Sequence, residues 1–482
     1  MINFKLIIKI IGSLLIVEGI ALLIAFGVSL LYMEPDVYSL LITSIICIIT
    51  GVITTSVIKN TPGKFTKNDG FLTVTLVWIV FSFFGCIPFI ISGYIPSLTN
   101  AFFETMSGFT TTGSTILNNI EAIPHGLLFW RSMTQWLGGM GIIVLSLAIL
   151  PSFGIGGMQL FGAEVTGPVA DKLTPKIHET AKRLWGIYVI LTIVETILLY
   201  GGGMNIFDSI NHSFTTISSG GYSTKQASVA YWDSPFIQYV IIFFMFLAGT
   251  NFNLIYGCFV GNFKKLRKNE EFVTYLLIII GFTAIIFTGL LITDNLGKEK
   301  TFRDALFQVV SIITTTGFAT TNYLNWIPFL LFIIFLLFFF GGSTGSTSGN
   351  IKVMRIILLI KNSRCEFKRI LHPNAIIPVH LNKHSVSEEI LHNVLAFFMT
   401  YLLIFIISSG IFLLIEEDLP SAIGAVASCL GNIGPALGNY GPENSFFALP
   451  DIGKWFLSFL MLLGRLELFT VLSIFSPIFW RE

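Results

Sequence analysis

Ala101-Phe-Phe-Glu-Thr-Met-Ser-Gly-Phe-Thr-Thr-Thr-Gly-Ser-Thr115 decides the fold, because the chain repeats its plan three more times. A short amphipathic segment ends in hydroxyl side chains and a glycine, between two apolar segments long enough to cross a bilayer. Irregular backbone cannot face lipid, since unsatisfied N–H and C=O groups are costly there, so it must be buried in protein or line a water-filled path. The stretch therefore predicts a re-entrant pore loop.

The polar end of this loop offers oxygen atoms without fixed charge. Gly113, which ends the polar run Thr110-Thr111-Thr112-Gly113, allows backbone torsions that aim carbonyl groups into a lumen. Uncharged oxygens of this kind suit a weakly hydrated monovalent cation. The loop therefore points to ion permeation.

Three further windows of 13 residues each end on a glycine, at 209–221, 305–317 and, more degenerate, 422–434. The four glycines stand 108, 96 and 117 residues apart, which leaves room for two membrane crossings between them. One such window alone is better explained by small residues packed between helices. Four in register instead predict loops around one axis, with pseudo-fourfold symmetry from covalent repeats.

The composition describes a polytopic membrane protein. The 482 residues are 54% hydrophobic and 11% charged, whereas about a quarter of the residues of a soluble domain are charged. The five cysteines have no metal-ligand spacing, and structural disulfides are not expected. The first apolar segment carries Glu18 and lacks a cleavage site of small residues, so we expect it to stay as a helix.

We predict an all-α polytopic membrane protein with two N-terminal helices and four repeats of helix, pore loop and helix (M1-P-M2) in a pseudo-fourfold arrangement. The predicted divisions are 1–68 for the leading helices, then repeats at 69–165, 166–265, 266–385 and 386–482. The ten predicted crossings are 6–31, 37–58, 71–94, 127–150, 184–200, 235–260, 272–293, 326–341, 394–415 and 455–479.

Lysine and arginine cluster on one side of this topology. The loops after the second crossing and after repeats one, two and three hold 18 of the 28 basic residues. Basic loops stay in the cytoplasm. Both termini are therefore predicted to be cytoplasmic, with the pore loops nearer the outside.

A second candidate site is the string GGSTGSTSG at 341–349, which ends the last helix of repeat three. It cannot continue a helix cheaply, since each glycine costs about 1 kcal/mol relative to alanine. At membrane depth it must lie inside the protein, and we place it across the pore beneath the loops. A phosphate loop is disfavoured because no Gly-Lys-Ser/Thr follows.

Arg465 stands where the aligned triplets of the other repeats end in glycine, at Gly139, Gly249 and Gly342. An intramembrane charge is functional or paired by default, and Glu467 does not face Arg465 on a helix. We predict that Arg465 points at the axis, repels cations when the pore is shut and hydrogen-bonds the 341–349 string. For the other intramembrane carboxylates, Glu18 and Glu195, a proton or sodium coupling site and a locally hydrogen-bonded structural role both stay open.

These strings resemble the Trk/Ktr/HKT superfamily of potassium transporters, and within it the Trk-type membrane subunit. The resemblance covers essentially the whole chain and is carried by AFFETMSGFTTTGST, LGGMGIIVLSLAILP (137–151), VSIITTTGFAT (310–320) and GGSTGSTSGNIK (341–352). It implies a potassium filter with one glycine from each loop and an intramembrane gate at 341–349. Members that favour sodium often have serine at the first glycine, so Gly113 implies potassium.

The resemblance assigns residues as follows. The predicted filter residues are Thr110, Thr111, Thr112, Gly113, Ser218, Ser219, Gly220, Gly221, Thr314, Thr315, Thr316, Gly317, Gly431, Asn432, Ile433 and Gly434. Potassium is predicted at Thr111, Thr112, Ser219, Gly220, Thr315, Thr316, Asn432 and Ile433. The predicted gate is Gly341, Gly342, Ser343, Thr344, Gly345, Ser346, Thr347, Ser348, Gly349 and Arg465. Loops two and four lack the threonine run, so we expect an asymmetric filter with weaker discrimination than a symmetric channel.

The resemblance also implies a bacterial inner (plasma) membrane protein that assembles as a homodimer on a cytosolic ring of TrkA-type (RCK) nucleotide-binding regulators. The chain has no nucleotide fingerprint, so nucleotide control is expected to act in trans. We expect K+ as the transported ion, with no organic cofactor and no nucleic-acid partner. The basic segment 352–369 is predicted to lie near anionic lipid.

Two alternatives stay beside this interpretation. A proton- or sodium-coupled symporter would have the same fold. A membrane-embedded enzyme would need acidic or histidine groups clustered at one interface and a sizeable soluble region, and neither is visible. We predict no catalytic residue and no enzymatic activity.

Overall fold

The computed structural model describes residues 2–58, 66–141, 177–293 and 297–481. Within these ranges the regular structure is helical except for one small hairpin, His380–Leu381 with His384–Ser385. Six helices are long and apolar enough to span a membrane, or eight if two bent pairs each count as one span. The prediction of an all-α polytopic membrane protein is confirmed.

The first two helices, α1 (Phe4–Tyr32) and α2 (Val37–Val57), pack against each other as an antiparallel pair. The side chain of Asn3 caps α1 by accepting a hydrogen bond from the Leu6 amide. Small residues let the two backbones approach closely. A β-carbon on Gly51 would lie 2.5 Å from the Gly12 carbonyl oxygen.

Four long helices open the four predicted repeats. They are α3 (Lys67–Gly85), which continues into α4 (Ile87–Ile91), then α7 (Ile177–Gly201), α12 (Glu270–Thr293) and α16 (Glu388–Phe412).

A short helix follows each of them. These are α5 (Leu98–Phe109), α8 (Ile206–Ile217), α13 (Lys298–Ile313) and α17 (Leu419–Gly431). The side chains of Ser97, Asn205 and Asp418 cap three of them by accepting hydrogen bonds from backbone N–H groups. Every short helix ends three or four residues before the glycine of its window.

A second helix then leaves each loop: α6 (His125–Trp136), α9 (Pro235–Ala248), α14 (Pro328–Leu337) and α18 (Asp451–Arg465). Proline stands at the cap or the first position in all four. Its fixed φ and missing N–H suit the first turn of a helix. A π-helical turn, Leu137–Gly141, follows α6.

The remaining described elements lie between or after these helices. They are α10 (Phe252–Phe259), α11 (Phe263–Lys268), α15 (Val353–Leu371), α19 (Phe469–Leu472) and α20 (Pro477–Arg481), with 3-10 turns at Ile120–Ala122, Ser228–Tyr231, Tyr323–Asn325, Gly438–Tyr440 and Ser473–Phe475.

Two predicted spans are wrong as continuous helices. The span 235–260 is α9 and α10 at 107° to each other, and the span 455–479 bends by 110° after Arg465. At the first bend, the Gly249 carbonyl accepts a hydrogen bond from the Ser343 N–H at 2.8 Å. The helix breaks where another segment donates hydrogen bonds to its carbonyl groups. The position of such a break is not visible in a sequence that is apolar throughout.

The count of ten crossings and the repeat boundaries stay predictions. The helix predicted at 326–341 is regular only over Pro328–Leu337. The end of the predicted span 127–150 and the basic residues of 59–65 and 172–176 lie outside the described residues.

The contact between α1 and α2 generates a stability prediction. Gly51→Ala places a methyl group against the Gly12 backbone and is expected to destabilise the protein by about 1–3 kcal/mol, because overpacking forces the helices apart. Gly27→Ala is the matched control, since nothing lies within 4 Å of its added β-carbon. Thermal unfolding in detergent should give a lower midpoint for Gly51→Ala alone. Equal midpoints would contradict the close contact.

Candidate functional site

The ends of the four windows close into a ring. Each window glycine abuts the carbonyl group just before the glycine of the next window, in the order one, two, three, four, one. A β-carbon built on the glycine would lie 2.3 Å from that oxygen for Gly113 and Gly220, 1.7 Å for Gly221 and Thr316, 2.0 Å for Gly317 and Ile433, and 2.8 Å for Gly434 and Thr112. We call residues 110–113, 218–221, 314–317 and 431–434 the ring.

The four segments of the ring share one backbone conformation. The residue two before each glycine is left-handed: φ is 52° at Thr111, 57° at Ser219, 56° at Thr315 and 54° at Asn432. The glycines also have positive φ, between 75° and 106°, whereas the residues between them do not. Such alternation turns successive carbonyl groups toward the same side, as ion-coordinating filters require.

This conformation begins at the end of each short helix. In every window the residue before the glycine donates its N–H to the carbonyl five residues earlier, at 2.8–3.0 Å. This hydrogen bond is characteristic of a helix C-terminus that closes on a residue in the left-handed conformation. That residue is usually glycine or asparagine. Thr111 and Thr315 adopt it although β-branched residues rarely do, and such strain persists only where the surroundings over-determine it.

The ring borders a cavity on one face. All four glycines line it, together with Tyr222, Lys225 and Asn444 among others. A cavity shared by all four repeats is what a path along a common axis requires. We call it the outer cavity.

Side chains of the ring residues hydrogen-bond one another. The hydroxyl oxygens of Thr110 and Thr112 lie 2.7 Å apart, and those of Thr314 and Thr316 lie 2.8 Å apart. The Asn432 amide nitrogen crosses to the Thr112 hydroxyl at 2.9 Å. Because these polar groups bond one another, the backbone carbonyls are the groups best placed to face an ion.

One predicted potassium ligand already has a protein partner. The carbonyl oxygen of Gly220 accepts a hydrogen bond from Gln135 Nε2 at 2.7 Å, and Gln135 is fully buried. Of the four carbonyls just before the glycines, it alone has such a side-chain bond among the described residues. The ring is thus uniform in backbone torsion but unequal in its hydrogen bonds.

The string 341–349, hereafter the intramembrane loop, lies against the opposite face of the ring. The Thr347 hydroxyl is 2.8 Å from the Ser219 hydroxyl, and the Gly349 N–H donates to the Thr315 hydroxyl at 2.7 Å. A β-carbon on Gly349 would lie 2.8 Å from the Gly431 carbonyl oxygen. The intramembrane loop thus touches three of the four ring segments on the side away from the outer cavity.

Arg465 joins the intramembrane loop to two repeats. Its guanidinium donates to the carbonyl oxygens of Thr347 at 2.9 Å, Gly138 at 2.8 Å and Gly139 at 2.6 Å. Glu467 is paired with Arg355 instead. The side chain of Arg465 therefore crosses beneath the ring to repeat one.

Sequence reasoning missed several buried charges around the intramembrane loop. The Thr344 N–H donates to Glu271 Oε1 at 2.6 Å, and the ammonium of Lys352 donates to the Ser348 carbonyl. Lys352 and Arg355 are buried, so the prediction that they lie near lipid headgroups is wrong. Lys352 instead bonds the intramembrane loop, and Arg355 pairs with Glu467. Their position next to a glycine-rich break was the signal for this role.

A second missed feature is a buried ion pair between Glu104 and Arg131. Arg131 is a charge within the predicted span 127–150, which by itself marks a functional or paired residue. Elsewhere, Glu18 is fully buried, and its carboxylate has no hydrogen-bond partner in the described part of the chain. Glu195 is buried as well.

Comparison with known proteins gives consistent matches over the full length. A family model described as "TrkH: Cation transport protein" matches residues 38–481. The chain is 41% identical over 487 residues to the Trk system potassium uptake protein TrkH of Escherichia coli K12, covering 100% of both. It is 32% identical to TrkG of the same organism over 98% of this chain and 97% of that protein. The crystal structure of the potassium transporter TrkH from Vibrio parahaemolyticus superposes with a TM-score of 0.90 at 37% identity and covers 100% of both chains.

The ring geometry predicts a graded effect of adding one methyl group. Gly221→Ala, with 1.7 Å to the next carbonyl oxygen, should abolish cation uptake, whereas Gly434→Ala, with 2.8 Å, should leave measurable uptake. Gly93→Ala is the control, because Gly93 has a similar φ of 77° but nothing within 4 Å. Its uptake should stay within about twofold of the unaltered protein, as for most surface changes. Equal loss in Gly221→Ala and Gly93→Ala would attribute the effect to strain alone.

Proposed function

Because this chain belongs to the TrkH family of cation transport proteins, we propose that it takes up potassium ions across the cell membrane through a pore whose filter is the ring. The chain is thus a transport protein and not an enzyme. The observation that carries the proposal is the closed cyclic contact of the four window glycines with the carbonyl groups of the neighbouring windows.

The ring carbonyls act as the filter. They replace the hydration shell of K+, and the alternating torsions hold them toward the axis. The eight proposed ligand residues are the middle two of each ring segment, Thr111, Thr112, Ser219, Gly220, Thr315, Thr316, Asn432 and Ile433. Loops two and four lack the threonine run, and this asymmetry favours weaker discrimination than in a symmetric filter.

The intramembrane loop and Arg465 act as the gate. The loop lies directly beneath the ring, so an ion leaving the ring meets it before the cytoplasm. Arg465 adds a positive charge at this level, and cations are repelled from it in a medium of low dielectric constant. Opening requires the carbonyls of Thr347, Gly138 and Gly139 to release the guanidinium.

The protein is proposed to lie in the bacterial inner membrane with both termini in the cytoplasm. Its relatives are named as parts of a Trk system, which supports further components. We infer a homodimer on a TrkA-type (RCK) nucleotide-binding ring that controls the gate in trans. The helix after the gate, α15, carries exposed basic residues at its C-terminal end. These residues offer the regulatory subunits a contact through which they can move the gate.

A coupled symporter of the same fold is the second candidate. The observation that favours it is the buried, unpartnered carboxylate of Glu18, since a carboxyl group in that setting can carry a proton. The experiment on function therefore includes pH and sodium as variables.

The proposed function is tested by uptake in a bacterial strain that lacks its own potassium uptake systems. Expression of this chain with its regulator should restore growth at low external potassium. Growth independent of pH and sodium supports a channel, whereas dependence that disappears in Glu18→Gln supports the symporter. Failure to restore growth, although the protein is present in the membrane, would refute potassium uptake.

The gate assignment predicts the effect of removing the Arg465 charge. Arg465→Ala should raise potassium flux without the regulator, on the order of tenfold, because a nearby unit charge contributes kcal/mol-scale repulsion. Arg267→Ala removes an exposed charge from α11, which is not part of the gate, and should leave the flux unchanged. Flux through reconstituted vesicles measures both. Unchanged flux in Arg465→Ala would remove Arg465 from the gate.

A further inference from the structure

The most deeply buried ion pair described in the chain lies beside the ring, between Glu104 on α5 and Arg131 on α6. Arg131 Nε is 2.7 Å from Glu104 Oε1, and the side chains are only 3% and 1% exposed. Burying two charges rarely adds net stability, because the desolvation cost offsets the attraction. Such a pair therefore points to a positioning role, and its contacts identify what is positioned.

Glu104 holds the segment of its own loop that leaves the ring. Its two carboxylate oxygens accept hydrogen bonds from the Thr115 hydroxyl at 2.9 Å and the Ile116 N–H at 2.8 Å. The chain two and three residues beyond Gly113 is thereby tied back to the helix that leads into the ring. Both ends of the first ring segment are thus attached to α5.

Arg131 reaches across to the second loop. Its Nη1 donates to the Ser223 carbonyl at 3.0 Å, and the guanidinium carbon lies 3.5 Å from the centre of the Tyr222 ring. The Tyr222 hydroxyl in turn donates to the Glu104 carbonyl at 2.7 Å. The planar guanidinium thus bonds repeat one and repeat two at once, which a lysine ammonium cannot do in the same geometry.

Gln135, one turn further along α6, completes the contact. Its Nε2 donates to the Gly220 carbonyl, and its Oε1 accepts from the Tyr222 N–H at 3.0 Å. These two bonds enclose Gly221. One face of α6 therefore holds the second ring segment where that segment abuts Gly113.

The other repeats lack this arrangement in the described residues. The fourth position of each window is Glu104, His212, Gln308 or Ala425. His212 bonds Ser223 at 3.0 Å and Gln308 bonds Thr321 at 3.4 Å, each within its own loop. Among the described residues, a buried charged pair whose arginine also bonds the next repeat is thus found only at the junction of repeats one and two.

We propose that Glu104 and Arg131 are positioning residues that, with Tyr222 and Gln135, set the selectivity of the ring for K+ over Na+. This inference rests on the proposed function. The two ions have the same charge and differ in size, so a filter separates them by where its oxygens stand and how freely they move. Loosening this junction lets the Gly220 carbonyl and the Gly113 segment close on the smaller ion.

The test uses two conservative variants in reconstituted full-length protein. Arg131→Lys keeps the charge but loses the simultaneous bonds to Glu104 and Ser223. Tyr222→Phe keeps the ring under the guanidinium but loses the bond to Glu104. We expect the K+/Na+ permeability ratio from reversal potentials to fall about tenfold in Arg131→Lys, the equivalent of about 1.4 kcal/mol, and by less in Tyr222→Phe. Maximal potassium flux should change far less than the ratio.

Arg303→Lys is the matched control. Arg303 is equally buried and lies on α13, which leads into the ring, but its carboxylate partners are Glu299 and Asp233, neither of which belongs to the ring. Its permeability ratio should equal that of the unaltered protein. Unaltered protein that conducts no potassium would refute the proposed function itself. If it conducts potassium selectively and both variants retain that ratio, the positioning role is refuted; if Arg131→Lys does not reach the membrane, Tyr222→Phe decides alone.

Discussion

The structure depends on one constraint: backbone N–H and C=O groups at membrane depth must find partners inside the protein. The ring meets it by ending each short helix in the same left-handed turn, in which the residue before the glycine bonds back into the helix. The intramembrane loop satisfies the constraint differently. Its Ser343 N–H donates to the Gly249 carbonyl, which the bend in repeat two leaves without a partner in its own helix. The bend in repeat two and the intramembrane loop therefore satisfy each other's backbone groups.

The buried charges obey the same rule. Arg465 donates to three main-chain carbonyls, Lys352 to the Ser348 carbonyl, and Glu271 accepts from the Thr344 N–H. Each charge lies where the backbone is irregular and its N–H or C=O groups lack partners within a helix. A charged hydrogen bond is stronger than a neutral one, so these side chains hold loops that lack the regular bonds of a helix.

The four repeats agree in backbone more closely than in sequence. Asn432 and Ser219 adopt the φ of Thr111 and Thr315 within a few degrees, although loops two and four lack the threonine run. The repeats differ instead in the side chains behind the ring, from the charged Glu104 to the small Ala425. Similar backbone conformations combined with unequal supporting side chains allow one chain to shape each junction of the ring separately.

The sequence by itself determined most of the apolar helices, the four windows, the glycine-rich loop and the presence of a charge, Arg465, in an apolar helix. These features are local: apolar length, a repeated string and a single charge in an apolar helix are visible along the chain. Only the tertiary structure decided where helices bend, because an apolar segment is compatible with a straight or a broken helix until another segment takes up its carbonyl groups. It also decided the partners of Lys352, Arg355 and Arg131, since the Arg131–Ser223 bond joins residues 92 apart in the chain. No spacing rule links residues so far apart, and their contact follows from the closure of the ring.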